Sequence, residues 1–347
     1  MRPTRLTTLL FGVLALLFSA CAEDAPQDVF KVAGENAERA NDLWNIVFPI
    51  AVVIFVVVEG LLIFAVIKFR QKPGREAAQF HGNTKLEIAL TAIPALILAG
   101  VAVPTVGTIL DLAEEQPGAM RVKVIAHQFW WEYQYPELGI VTANELHIPT
   151  GETIRVDLEG AITDKADGTA EVIHSWWIPR LAGAQDVVPG RTTHLTLRAD
   201  EPDTYFGQCK EYCGISHANM RLRVIAQSPG DFQSWVDGLS ATSEPSSTVA
   251  EGARLFQEGE FAGGPACSSC HTVDSTAVEQ SAALAGPNLD GFASRQSFAG
   301  AIFDNTEENL RTWLQNPPGA KPGAKMPNLE LTPEQIDALI AYLQSLE

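Results

Sequence analysis

Gly207-Gln208-Cys209-Lys210-Glu211-Tyr212-Cys213-Gly214-Ile215-Ser216-His217-Ala218-Asn219-Met220 gathers two thiols, an imidazole and a thioether into one loop. A second imidazole lies upstream, His174 in His174-Ser175-Trp176. Soft sulfur combined with imidazole selects copper or zinc among the common metals. Zinc would be satisfied by two cysteines and two histidines. The added thioether of Met220 therefore favours copper, and an electron carrier over a structural ion. Two thiolates four residues apart can each bridge two copper ions, which spreads one electron over both metals. A Cys209–Cys213 disulfide is the alternative outside the cytoplasm, but it leaves His217 and Met220 unexplained.

Around this loop, residues 120–227 alternate short β-rich runs with Gly, Pro and Asp turns. Arg121–Ile125, Thr153–Leu158, Thr193–Leu197 and Arg221–Ile225 are such runs. That spacing predicts an all-β sandwich or barrel. The aromatic stretch Gln128-Phe129-Trp130-Trp131-Glu132-Tyr133 supplies rings to pack it.

Upstream the chain is apolar. Ile46–Ile67 and Ile88–Leu110 are each long enough to cross ~30 Å of hydrocarbon, which predicts a two-helix transmembrane hairpin over residues 40–112. The loop between them carries Lys68, Arg70, Lys72, Arg75 and Lys85 against Glu76 alone, and Asp111–Glu115 on the far side is acidic. The loop is therefore cytoplasmic, and everything beyond residue 111 lies outside the cytoplasm. A helical hairpin buried in a soluble core would not need such asymmetry. Glu59, well inside the first span, requires a partner or water. Glu87 opens the second span, where a carboxylate complements the helix dipole. Arg2 and Arg5, the apolar run Leu9–Phe18 and Ser19-Ala20-Cys21 have the layout of a secretory signal over residues 1–21. Its end resembles a bacterial lipobox, which would make Cys21 a lipidated N-terminus in the membrane. Phe18 stands where leucine is usual, and Ala20-Cys21-Ala22 also reads as a simple cleavage site.

A length of 347 residues suits two or three domains. The formal net charge of -18 excludes the basic face a nucleic acid needs. It fits attraction of basic proteins and fits plain solubility equally well.

Residues 228–247 begin with a helical stretch, Asp231–Leu239, and continue as the polar linker Ser240-Ala241-Thr242-Ser243-Glu244-Pro245-Ser246-Ser247-Thr248. Beyond it, residues 248–347 form a compact unit. Cys267-Ser268-Ser269-Cys270-His271 is the C-x-x-C-H signature of covalent haem c attachment, with His271 placed to bind the iron. A redox disulfide or half a zinc site would not require the adjoining histidine. Met326 in Lys325-Met326-Pro327 is the methionine available to this unit as a second axial ligand. Thr332-Pro333-Glu334-Gln335 predicts a capped closing helix, with Ile336, Leu339, Ile340 and Leu343 as its apolar stripe.

Cys209-x-Glu211-x-Cys213-Gly214-x-x-His217-x-x-Met220, with His174 upstream, resembles the dinuclear copper (CuA) site of cytochrome c oxidase subunit II. The resemblance runs from about residue 40 to 227 and implies a cupredoxin-like domain. It implies that Cys209 and Cys213 bridge the coppers and that His174 and His217 each bind one. Met220 and the backbone carbonyl of Glu211 would be the weaker ligands. The Glu211 side chain would share a magnesium site with the catalytic subunit. Glu87 would mark the mouth of a proton-uptake path, and Asp186 an interface segment. One departure is clear: Phe129 stands where the family has the tryptophan through which electrons enter.

Gly286-Pro287-Asn288-Leu289 resembles the loop that class I cytochromes c fold against their haem, so the C-terminal unit is expected to be all-α. The combination resembles the caa-type oxidases. It implies electron entry from cytochrome c or a cytochrome bc complex, through haem c and dinuclear copper, to haem–copper subunit I. There oxygen becomes water with proton translocation. The implied location is the bacterial inner membrane, multi-pass, with the N-terminus and both redox domains on the extracytoplasmic face. The fused haem would also have its effective concentration raised by the tether. The nearest rival is a CuA-containing nitric oxide reductase subunit, told apart by non-haem iron in its partner. A copper-delivery protein would have no use for the haem. Nitrous oxide reductase needs a large propeller domain, and quinol oxidases lack the copper cysteines.

Overall fold

The structure, a computed structural model, describes residue 12 and residues 25–71, 73–74, 81–114, 116–161, 168, 170–239 and 247–347. Cys21 and the rest of the signal's processing end, Lys72, Arg75 and Glu76 of the basic loop, Glu115, and Ser240–Ser246 of the linker lie outside the described residues.

The first helix, α1, spans Glu35–Lys68, and the second, α2, spans Thr84–Ala113. At 1.5 Å per residue each exceeds the ~30 Å hydrocarbon thickness. Their most apolar windows bury nothing against protein, and Val53, Phe55, Leu61 and Val103 stand exposed. Such a surface needs lipid or a partner's apolar face to cover it. Pro49, Pro94 and Pro104 sit inside the helices, as membrane helices tolerate. The Asn83 side chain caps α2 by accepting from the Leu86 amide. Glu59 is exposed on α1, and Glu87 falls in the first turn of α2. The entry to α1 is tied to the next domain: the Ala33 backbone amide donates to Arg180 O at 2.8 Å, and the Asn36 side-chain Nδ2 donates to Thr196 O.

That domain is a sandwich of two five-stranded sheets. One sheet contains β1 (Met120–His127), β2 (Trp130–Tyr135), β3 (Ile140–Ala143), β5 (Ile154–Gly160) and β8 (Thr192–Leu197), in the order β3-β2-β1-β5-β8. The other contains β4 (Glu145–Pro149), β6 (His174–Trp177), β7 (Gln185–Val187), β9 (Asp203–Cys209) and β10 (Arg221–Gln227), in the order β4-β10-β9-β6-β7. All four β-rich runs of the sequence are strands. Side chains alternate across a strand, so Val122, Val124 and Ala126 of β1 share the buried face. Trp131, Tyr133 and Trp176 fill the space between the sheets. The Trp176 indole donates to the Tyr133 hydroxyl at 3.4 Å.

Helix α3 (Pro229–Leu239) closes one end of the sandwich, where Trp235 stacks on His147 with centroids 4.2 Å apart. The C-terminal domain has its own apolar cluster, built from α4 (Ala250–Glu258), α5 (Val278–Ala283), α6 (Glu307–Gln315), α7 (Pro317–Ala320) and α8 (Pro333–Leu343). Helix α8 carries the expected capping box, with Thr332 Oγ1 accepting from the Gln335 amide and Gln335 Oε1 from the Thr332 amide. Ile336, Leu339, Ile340 and Leu343 are buried on one side of it. One short feature is not helical: Ser297–Phe298 pairs with Phe303–Asp304 around a tight turn.

Helices α4 and α8 cross at Gly252, where an added Cβ would lie 2.1 Å from the Ala338 carbonyl oxygen. Gly252→Ala is therefore expected to destabilise the domain by about 1–3 kcal/mol through overpacking. Helix preference alone would favour alanine by about 1 kcal/mol. Thermal unfolding decides between the two: a lower midpoint fits the crossing, and an unchanged or higher one does not.

Candidate metal centre and cofactor cavity

Strand β9 ends at Cys209, and its neighbours in the sheet bring the remaining ligand types to that end. Trp176 of β6 pairs with Cys209, which sets His174 two residues away along the strand. The chain then turns through Gly214, whose φ of +127° favours glycine. It passes a single 3₁₀ turn, His217–Asn219, and re-enters the sheet after Met220. The Cys209 amide donates to Met220 O at 2.9 Å, which closes the loop.

The side chains form a row. His174 Nδ1 lies 3.9 Å from Cys209 Sγ, Cys209 Sγ 3.9 Å from Cys213 Sγ, and Cys213 Sγ 3.6 Å from His217 Nδ1. Met220 Sδ is 3.8 Å from Cys213 Sγ, and Glu211 O is 3.2 Å from Cys209 Sγ. Both cysteines are free thiols. Cys209, Cys213, His174 and Met220 are buried, whereas the Glu211 side chain is exposed. Its carboxylate accepts from the Tyr212 amide at 3.1 Å. His174 Nε2 is buried without a hydrogen-bond partner, with Glu171 Oε2 3.6 Å away.

Electrostatics follow from this crowding. The adjoining Cys213 thiol holds Cys209 well below the ordinary thiol range, and burial opposes the shift less strongly. In turn Cys209, followed by burial, holds Cys213 far above that range. Burial lowers His174, yet Cys209 and Glu171 outweigh it and raise the ring overall. The pair thus takes up one negative charge more readily than a second, and added cations would favour the second. Two soft cations between the sulfurs and the flanking Nδ1 atoms would serve, so the residues fit a sulfur-bridged metal pair.

A cavity of about 410 Å³ opens in the C-terminal domain, with Gln128, Phe129, Trp130 and Asn144 of the β-sandwich forming part of its wall. Cys267, Cys270, His271 and Met326 all line it, within walls of Phe256, Leu289, Phe292, Trp313 and Leu339. His271 Nδ1 donates to Pro287 O at 2.7 Å, which leaves Nε2 for a metal. Burial lowers His271 and favours the neutral ligand form. Gly286 is obligatory beside it, since a Cβ there would lie 2.4 Å from the imidazole Cε1. Two thiols, a neutral imidazole and a thioether around an apolar cavity fit covalently held haem.

The sequence reading missed three residues at this site. Arg295 is buried at the cavity wall and donates to Asn288 O and Asp290 O, each at 2.8 Å. Glu145 and Lys321 are buried between the two domains. Glu87 and Glu59 lie on the two long helices, away from both centres, whereas Asp186 pairs with Ser175, one residue from His174, and is exposed.

A membrane-anchored electron-transfer subunit is the class that this fold and these two centres define. Family models agree in three parts: cytochrome c oxidase subunit II transmembrane domain over residues 25–107, its periplasmic domain over 120–227, and cytochrome c over 249–347. Cytochrome c oxidase subunit 2 of Alkalihalophilus pseudofirmus is 35% identical over 347 residues, covering 96% of this chain and 95% of that protein. The Bacillus subtilis protein of the same name is 33% identical over 362 residues, covering 98% and 97%. The crystal structure of the periplasmic domain of subunit II from Bradyrhizobium japonicum matches at 28% identity, with a TM-score of 0.31, over 35% of this chain and 94% of that one. This chain belongs to the cytochrome c oxidase subunit II family, in the form that carries a C-terminal cytochrome c domain. It is the electron-entry subunit of a haem–copper oxidase, and the full-length relatives give no support to the nitric oxide reductase alternative.

Proposed function

We propose that this chain takes electrons from a soluble cytochrome c or a cytochrome bc complex and delivers them to haem–copper subunit I, where oxygen is reduced. The observation that carries this reading is the row His174–Cys209–Cys213–His217 with Met220 and Glu211 O beside it. Cys209 and Cys213 would bridge two coppers, His174 and His217 would each hold one, and Met220 and the Glu211 carbonyl would complete the set. Cys267 and Cys270 would hold haem c by thioether bonds, with His271 and Met326 as axial ligands. When bound, these groups supply reversible one-electron transfer. The chain's part is to bury them, fix their ligands and keep water out.

The remaining assignments follow the family resemblance. The exposed Glu211 carboxylate would share magnesium with subunit I, Glu87 would open a proton-uptake path, and Asp186 would face a neighbouring subunit. Cys21 would be lipidated in the bacterial inner membrane, with both redox domains outside. The test is the complex purified from its membrane. Two coppers and one haem c per copy of this chain, beyond those of subunit I, with oxygen uptake from reduced cytochrome c, are expected. Nitric oxide reduction without oxygen uptake would overturn the reading.

A further inference from the structure

Lys321 belongs to the haem-type domain and is only 3% exposed. Its ammonium donates to Phe129 O of the copper-type domain at 2.8 Å and to Ala299 O of its own domain at 2.8 Å. Burial drives its pKa down to about 7, a cost that a side chain with any route to water would avoid. The Phe129 ring stands between two glycines: a Cβ at Gly214 of the metal loop would lie 3.1 Å from it, and one at Gly323 of the haem-type domain 3.2 Å. The neighbouring Gln128 side chain donates to Cys213 O. Phe129, Ala299, Gly300 and Lys321 also line the 410 Å³ cavity.

The turn on the haem side is held in an unusual shape. Ala299, Gly300 and Ala301 have φ of +55°, +78° and +56°, which is costly for alanine and persists only where surroundings impose it. The Arg221 amide, next to Met220, donates to Gly300 O at 2.9 Å. A second buried strut runs the other way, from Glu145 of the copper-type domain. Its carboxylate accepts from Ser297 Oγ at 2.6 Å and from the Gln296 amide at 3.1 Å.

We propose that Lys321 is a positioning residue that pins the Phe129 carbonyl against the Ala299–Ala301 turn. The haem-to-copper step then crosses one fixed, Phe129-filled gap instead of waiting for an encounter between tethered domains. A compact ammonium suits this task, since its three rotatable donors can reach both carbonyls at once. The step oxidises the haem iron by one electron and reduces the copper pair by one; no bond changes and no proton moves. The proposal rests on copper and haem occupying the sites assigned above.

The test uses the full, loaded chain. In the wild type, the internal transfer rate after flash reduction of the haem should not change with added glycerol or salt. Lys321→Met removes the shared donor. Gly300→Ala wedges the boundary from another direction, because its Cβ would lie 2.6 Å from Lys321 Nζ and 2.9 Å from Asn219 O and Phe129 O. Each variant should lower the docked population, and with it the internal transfer rate, about tenfold, the equilibrium factor matching the loss of a partner by a buried carbonyl. Ferric haem should also relax the copper paramagnetic signal more weakly and less uniformly, while both optical spectra hold and, in Gly300→Ala, which keeps the buried charge, both midpoint potentials hold too. A merely stabilising lysine would lower the unfolding temperature and leave rate and relaxation alone. A wild-type rate that falls with viscosity, or a folded Gly300→Ala or Lys321→Met protein with wild-type rate and relaxation, would overturn the proposal. Absence of the copper or haem signature from the wild type would overturn the site assignments as well.

Discussion

Cys209→Ser and Cys213→Ser are each expected to abolish the mixed-valence copper signature and to cut electron delivery by more than about 100-fold. Changes to residues that merely support a metal ligand already cost roughly 10–100-fold in affinity or activity, and each of these sulfurs would serve two metals. The geometry makes the two losses alike: both thiols are buried, 3.9 Å apart, and each has an imidazole on its outer side. A serine hydroxyl is a harder and far weaker ligand than a thiolate. The fold should survive, because most of the core comes from the strands of both sheets and serine closely matches cysteine in size. Near-infrared absorption and oxygen uptake of the purified complex check this. A serine variant that kept both would show that the sulfurs do not bridge metals.

The second large effect concerns the haem cysteines. Replacing Cys267 and Cys270 together by alanine is expected to unfold the C-terminal domain while the β-sandwich stays folded. At roughly 24 cal/mol per Å³ of unfilled apolar cavity, a space of about 410 Å³ left without its cofactor would cost at most about 10 kcal/mol, and less where its mouth admits water. That is comparable with the whole stability of a small domain, about 5–15 kcal/mol. The two apolar clusters are separate, so the damage should stop at the boundary. Limited proteolysis reads the outcome: the double variant should be trimmed back to the region of Ser240–Thr248, with the sandwich resistant. A protease-resistant C-terminal domain without haem would contradict this.

Much of the site could be read from sequence because its chemistry is local. Cys209, Glu211, Cys213, His217 and Met220 fall in one loop, and Cys267, Cys270 and His271 in another. Ligand types at such spacings limit the metals before any fold is known. His174 could be read only as an imidazole upstream; the pairing of β6 with β9 makes it a neighbour of Cys209. The helices announced themselves by length and apolarity, and α8 by its cap. The domain boundary was hidden. Lys321 reaches a carbonyl 192 positions away, and Glu145 a hydroxyl 152 positions away. A lysine within Pro317-Pro318-Gly319-Ala320-Lys321-Pro322-Gly323 has no periodicity to mark it as buried. The polar linker suggested a tether, and only the packed boundary shows a docked domain. Phe129 looked like a departure from a family pattern. In the structure it is the ring between the two domains.

Electron paramagnetic resonance of the oxidised, copper-loaded protein tests most directly whether Cys209 and Cys213 hold one metal pair. A shared pair gives a single unpaired electron with equal hyperfine coupling to two copper nuclei, together with near-infrared absorption, and this is the expected result. A spectrum from one copper nucleus, or a copper-free protein whose two thiols have joined as a disulfide, would contradict it.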